Sequence, residues 1–366
     1  VPFLERTFDV HTLTLPTTQV LRDRPVALLR HQHHYRTLAR QSDAYDVTLL
    51  QFITFWNGTR AAENMLPTFI RNLRRPIVAV LHEWPTAADP GATPARARAR
   101  LALSALSRLV DPAAGYERFL RDTLLPRVAH FVVHSNELRS RLIAHGVADT
   151  RITSTALPPF PATPTDGVRS RFVDAIGTRR VVLLLGFPHP RKNYELAIQA
   201  LPQLPDDVQL VMAGDSSGPL RSQYVASLHA LAASLGVASR VLATGRLTED
   251  ELHDLVGRAT VGVAPYTYAT GSAAIAQLFG ARVPVVASNL DSNTVIHDLG
   301  GGLILFRSGD VDSLAGALNQ VLRDDGLRHS LSERSRAFAE RLSFAGLGEI
   351  VTGRLLEAWQ HDGHSR

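Results

Sequence analysis

The chain has 366 residues, too many for one ordinary hydrophobic core and suited to two domains. Its 45% hydrophobic and 20% charged residues are a globular balance, and no apolar run reaches the ~18 residues of a membrane span or forms a secretory core at the start. Without Cys there is neither a disulfide framework nor a thiolate zinc site, and the formal charge of +5 is dispersed as arginines among acids, without the like-charge block of a nucleic-acid-binding segment.

Phe8–Leu15 reads as a strand and Val26–Gln41 as a helix with Leu28, Leu29, Tyr35, Leu38 and Ala39 on one side. His31, His33 and His34 do not form a closed ligand set on one helical face, so no metal site is expected there. A strand Asp46–Phe52 and a helix Asn64–Arg74 follow, with a sequon at Asn57-Gly58-Thr59 that means little without a leader. The strand Pro76–Leu81 runs into His82-Glu83-Trp84-Pro85. A histidine at the carboxyl end of a buried strand points into the crevice of an open parallel sheet. His82 is therefore a candidate catalytic or acceptor-orienting group, and equally a satisfied structural histidine. The Arg-rich segment Ala95–Arg108 alternates at period two, a weak pattern for a membrane-surface helix. Val128–His134 reads as a strand, Ser135 as the cap of a helix Asn136–His145 ending at Gly146, and Arg151–Thr155 as a short strand.

Leu157–Asp166 holds four prolines and marks a domain edge. The expected division is 1–160, 161–345, and a C-terminal helix 346–366 that packs back on the first domain. Beyond the edge the strands are Arg180–Leu185, Val208–Ala213, Arg240–Thr244, Val261–Ala264, Val283–Ala287 and Gly302–Phe306. Helices alternate with them at Tyr194–Leu201, Ser222–Leu235, Glu249–Arg258, Ser272–Gly280 and Val311–Leu322, and two more, near Gly326–Glu340 and Gly346–Trp359, close the chain. Such alternation implies right-handed βαβ units and parallel sheets. The expected fold class is α/β, two doubly wound Rossmann-like domains with a cleft between them. The opening residues VPFLERTF look like the end of a helix, so the first strand and Gly-rich turn of the first domain are expected upstream of Val1.

The stretch Val181–Ala200, VVLLLGFPHPRKNYELAIQA, concentrates the chemistry. Five apolar residues form a strand, a Gly-containing turn follows, and a helix begins just after Arg191-Lys192-Asn193. Free N–H groups and the helix dipole favour an anion at such a helix start. Lys192 is the only lysine among 39 cationic residues. It reads either as a solvated helix-start residue or as a compact ammonium for a phosphate, the second being preferred because every other cationic position is Arg.

From Leu185 to about Phe344 the chain resembles the GT-B retaining glycosyltransferases of group 1, bacterial enzymes that use nucleotide-sugar donors. The matching segments are LLLGFPHPRKNYELAIQAL, VQLVMAGD, VLATGRLTEDELHDLVGRATVGVAPY, GSAAIAQLFGARVPVVASNL and GGLILFRSGDVDSLAGAL, in that order. The N-terminal half matches loosely, through DVTLLQF, VAVLHEWP and VVHSNELRSRL.

The resemblance implies a donor site at Gly186, Arg191, Lys192 and Asn193, with Lys192 on the diphosphate. Thr270-Gly271-Ser272 occupies the family's Gly-rich loop. Phe187 stands where relatives have Arg, and Arg191 is a candidate to replace that charge. The family's E-x7-E pair falls on Ala269 and Gln277; Gln277 retains the capacity to hold a ribose diol, while Ala269 has no polar atom for the sugar. The implied activity is transfer of a sugar from a nucleoside-diphosphate sugar to a glycan, lipid or small-molecule acceptor, with retention, with His82 and Lys192 as the catalytic candidates. No cofactor, metal or nucleic acid is implied. The implied location is the cytoplasm, including the inner membrane face. The substituted glutamates leave an alternative, a lapsed protein that binds sugar nucleotide or partners a second glycosyltransferase-like chain.

Overall fold

Runs such as Ile77–Leu81 and Val208–Ala213 are buried at every position, as strands covered on both faces must be. The computed structural model describes residues 4–12, 25–52, 66–84, 120–161, 170–269 and 271–363. The Asn57 sequon, the Arg-rich segment 95–108, the end of the proline-rich stretch, Thr270 and the side chains of Leu28, Leu29 and His31 lie outside the described residues. The chain divides into residues 1–155 with 345–366, and residues 156–344.

In the first unit the helix α1 (Pro25–Ser42) precedes β1 (Thr48–Phe52), α2 (Leu66–Asn72), β2 (Ile77–Leu81), β3 (Val128–Val133), α3 (Asn136–Ala144) and β4 (Ile152–Ser154). All the pairings are parallel, in the order β1-β2-β3-β4. A sheet that advances in one direction by right-handed crossovers carries its connecting helices on one face. That face buries Tyr35, Leu38, Phe52, Phe69, Ile70, Phe131, Leu138 and Leu142. The opposite face, with Val78, Val80 and Val132, receives Val351, Leu355 and Ala358 from the C-terminal helix (Phe344–Gly363).

The strand expected at Phe8–Leu15 is not present over its described part, residues 8–12. The N–H of Phe8 instead donates to the Leu4 carbonyl at 2.9 Å, a helical-type turn. Leu4 and Phe8 thereby point together at the apolar layer under the C-terminal helix. Burial of two side chains spaced i,i+4 overrides the alternation that suggested a strand.

In the second unit a short helix α4 (Val173–Ile176) leads into β5 (Arg180–Leu185), α5 (Tyr194–Ala200), β6 (Val208–Ala213), α6 (Pro219–Ser234), β7 (Val241–Gly245), α7 (Glu249–Gly257), β8 (Ala259–Ala264), α8 (Ala273–Gly280), β9 (Val285–Ser288), α9 (Asp291–Asp298), β10 (Leu303–Phe306), α10 (Val311–Arg323) and α11 (Asp325–Arg341). The parallel sheet has the order β10-β9-β8-β5-β6-β7. From β5 the chain winds outward through β6 and β7, then returns to β8 on the other side. The loops after β5 and β8 therefore flank the point where strand order reverses, the place an open parallel sheet offers to ligands.

α6 starts at Pro219, three residues before the expected Ser222, because Gly218 turns the chain at φ 93° and proline suits the first helical position. α9 was not expected from its polar sequence; it is held by Ile296 in the core and by the Asn293 amide donating to the Ser288 carbonyl at 2.9 Å. Residues 156–161 belong to the second unit because Phe160 lies on α8, its N–H donating to the Ala276 carbonyl at 3.1 Å.

Candidate functional site

β5 ends at Leu185 and the chain turns through Gly186 at φ 115°, a backbone state that side chains with a Cβ rarely adopt. The Gly186 N–H donates to the Ala213 carbonyl at 2.7 Å, and its own carbonyl accepts from the Tyr194 hydroxyl at 2.5 Å. A Cβ at Gly186 would lie 1.9 Å from Lys192 Nζ, so the missing side chain is where the ammonium sits. A 3₁₀ turn, Pro190–Lys192, delivers the lysine, and Asn193 in the left-handed region (φ 49°, ψ 53°) joins that turn to α5. Asn tolerates this conformation better than most residues.

Lys192 Nζ donates to the Leu185 carbonyl at 3.1 Å and lies 5.2 Å from the Phe187 ring centroid and 5.4 Å from that of Tyr266. Among the described residues no carboxylate forms an ion pair with it. Burial of the ammonium, reinforced by the neighbouring Arg191 guanidinium, pushes its pKa down to about 8. It remains mostly charged at neutral pH, with donors to spare for an anion.

The second loop is tied to the first. The Arg191 carbonyl accepts from the Thr267 N–H at 2.9 Å and from its hydroxyl at 3.2 Å. Tyr266, buried at the end of β8, shares a side-chain hydrogen bond with Ser272. The Ser272 hydroxyl oxygen in turn caps α8 by accepting from the Ile275 N–H at 3.2 Å. Gly186, Arg191, Lys192, Asn193 and Ser272 are thus one connected set around the sheet's reversal point. Gly271 is exposed beside the cap, and Gln277 is half-buried further along α8. Ala269 packs partly buried against the apolar core, its carbonyl accepting from the Ser292 hydroxyl at 2.9 Å.

His82 belongs to the first unit and follows β2. Its Nε2 stands 2.8 Å from Gln51 Oε1 on β1 and, facing an acceptor, carries the proton. Its ring centroid is 5.1 Å from that of His134, which follows β3. This neighbour escaped the sequence reading. Its signal was the repeated strand-then-histidine pattern of VAVLH and HFVVH, which the register Leu81↔Val133 aligns. His134 Nδ1 lies 3.0 Å from the Thr155 carbonyl, which only accepts, so the proton is on Nδ1 and Nε2 is a buried lone pair without a partner. Burial, then the other ring, lowers the His82 pKa to about 4. Burial also lowers that of His134, against the opposing pull of the Thr155 carbonyl. No group of three metal-ligating side chains occurs among the described residues.

Two parallel α/β sheets, the second doubly wound, define the GT-B class of fold. Solved structures with this architecture include Anabaena HepE in complex with UDP-glucose, at TM-score 0.67 and 17% identity over 92% of this chain and 84% of that one. Sucrose-phosphate synthase from Thermosynechococcus elongatus aligns at TM-score 0.64 and 16% identity, over 94% of this chain and 82% of that one. Residues 169–338 match the family Glycosyl transferases group 1, so the second unit is a glycosyltransferase group 1 domain. Among curated proteins, a D-inositol 3-phosphate glycosyltransferase of Xylanimonas cellulosilytica is 30% identical over 52% of this chain and 45% of its own length. A GDP-mannose-dependent phosphatidylinositol monomannoside mannosyltransferase of Mycolicibacterium smegmatis is 28% identical over 54% of this chain and 56% of its own. The chain thus spans about half the length of the curated relatives it matches.

Proposed function

We propose that the second unit binds a nucleoside-diphosphate sugar at the loops after β5 and β8, and that the chain transfers the sugar, with retention, to a hydroxyl of a glycan, lipid or small-molecule acceptor. The observation that carries this is Lys192, a half-buried ammonium at the strand-order reversal with a carbonyl and two rings for neighbours and no carboxylate partner among the described residues. In this reading the bond from the anomeric carbon to the diphosphate breaks and the departing phosphate keeps the electron pair. Lys192, Arg191 and the N–H groups at the start of α8 stabilise that charge. The acceptor hydroxyl bonds to the same carbon and its proton passes to an oxygen of the departing phosphate. Gln277 bonds the ribose, and His82 orients the acceptor hydroxyl through a neutral ring. A transfer of this kind needs no metal or cofactor at these positions.

A panel of UDP- and GDP-sugars incubated with the full chain tests the proposal by release of free nucleoside diphosphate. Titration of UDP and GDP into wild type and Lys192→Ala is the companion measurement. Unchanged affinity in the variant would remove Lys192 from the site.

The packing of Ala269 favours a second reading, a chain that binds sugar nucleotide without turning it over, as a partner of another glycosyltransferase-like chain. Where relatives place a sugar-contacting carboxylate, this chain has a methyl set against apolar residues. Nucleotide binding with no turnover of any donor, before and after Ala269→Glu, would select this reading.

A further inference from the structure

The exposed ring of Phe187 carries two cations. Lys192 Nζ lies 5.2 Å from its centroid and the Arg221 guanidinium carbon 4.8 Å. Lys192 comes from the turn after β5 and Arg221 from the first turn of α6, so the ring joins charges from two separate crossovers. The turn itself is packed backbone to backbone, since a Cβ at Gly214 would lie 2.1 Å from the Gly186 carbonyl oxygen and 2.8 Å from the Phe187 nitrogen. The backbone that carries the ring is thus held in place.

Arg221 reaches one carboxylate, Asp215, at 3.9 Å, the outer edge of an ion pair. Asp215 is already engaged in its own turn, accepting from the Ser217 N–H at 2.9 Å, and also feels Arg246. Lys192 and Arg221 therefore share one ring, and among the described residues no carboxylate forms an ion pair with Lys192. Two like charges drawn to one ring repel each other, and an anionic ligand would bring balancing charge. A guanidinium laid face-on against a ring keeps its N–H edge free in the plane, the geometry that suits phosphate oxygens.

We propose that Arg221, carried on Phe187, is the second cation of the donor site, holding one phosphate of the nucleoside diphosphate while Lys192 holds the other. The proposal rests on the donor-site reading above. It assigns Arg221 to the discrimination of diphosphate from monophosphate, with Phe187 positioning it.

The test is titration of UDP and UMP into the full chain as wild type, Arg221→Ala, Arg221→Gln, Phe187→Leu and Lys192→Ala, each checked for an unchanged melting temperature. Loss of a charge-assisted phosphate contact should weaken UDP by about tenfold or more in both Arg221 variants, and leave UMP within about threefold. Phe187→Leu should give a smaller loss in the same direction, because the guanidinium is retained without its platform. In the double variant Phe187→Arg with Arg221→Ala, a guanidinium returns at 187 and UDP affinity should recover. If the Arg221 variants bind UDP as wild type does while Lys192→Ala does not, the donor site stands and the role of Arg221 is overturned. If Lys192→Ala also binds normally, the donor-site reading fails and takes this inference with it.

Discussion

At the carboxyl end of the first sheet two imidazoles stand side by side on neighbouring strands, whereas the same edge of the second sheet presents an ammonium and two guanidinium groups. Burial acts on both and gives different results. It drives His82 to about 4, leaving a neutral ring at physiological pH, but drives Lys192 only to about 8, leaving it a cation. A neutral ring is an acceptor that suits hydroxyl hydrogens, and His134 Nε2 is such a lone pair, buried and without a partner. The cations suit phosphate oxygens. In the proposed reading, two edges of similar backbone would take different substrates because of the intrinsic pKa of the residues that end their strands.

The sharpest way to break this contrast is Lys192→Ala, which should lower nucleoside diphosphate affinity by about a hundredfold if one buried charge-assisted contact of some 3 kcal/mol is lost. His82→Ala should leave that affinity unchanged, and titration calorimetry on both variants checks the pair. Lys192→Arg should rescue only in part, because the ammonium fills the space beside Gly186 and a planar fork is broader.

Gly186→Ala should come next. It sets a Cβ in a left-handed region and against Lys192 Nζ, so about 1–3 kcal/mol of strain is expected together with displaced lysine. Chemical denaturation should show the second unit destabilised, and nucleotide affinity should fall in the same variant.

Acid and base should act on opposite edges. An unfolded imidazole takes its proton near 6.5 whereas folded His82 resists until about 4, so the unfolded chain binds more protons between those values. The stability contribution is full above 6.5 and is lost as pH falls toward 4; His82→Gln should flatten that slope in denaturation curves measured from pH 7 to 5. On the alkaline side Lys192 loses its charge as pH rises past about 8. A bound diphosphate raises the lysine's pKa, so binding takes up a proton there and affinity should weaken by up to about tenfold per pH unit. An alkaline profile that stays flat to pH 9 would remove Lys192 from the anion site.

The smallest effect is expected at Gln277. Its change to Ala should cost a neutral hydrogen bond, about 0.5–1.5 kcal/mol of donor affinity, and leave binding of inorganic pyrophosphate unchanged. An equal loss for both ligands would place Gln277 on the phosphates instead of the ribose.

Local residue order was enough for the strands Arg180–Leu185 and Val208–Ala213, for the turn that carries Lys192, and for the Ser135 cap. These features are written within a few residues: an apolar run, a glycine where the backbone turns left-handed, a hydroxyl before a helix. The neighbours that give the sites their character come from farther away. His134 lies beside His82 through the β2–β3 register, Arg221 meets Phe187 because α6 starts next to the turn after β5, and the C-terminal helix covers a sheet whose strands lie some 200 residues or more earlier in the chain. Periodicity reports which face of an element is apolar, but not which distant segment will cover it. α9, too polar to announce itself, formed because Ile296 and Asn293 found partners in the assembled core. Packing supplied the free energy that its own residues lacked.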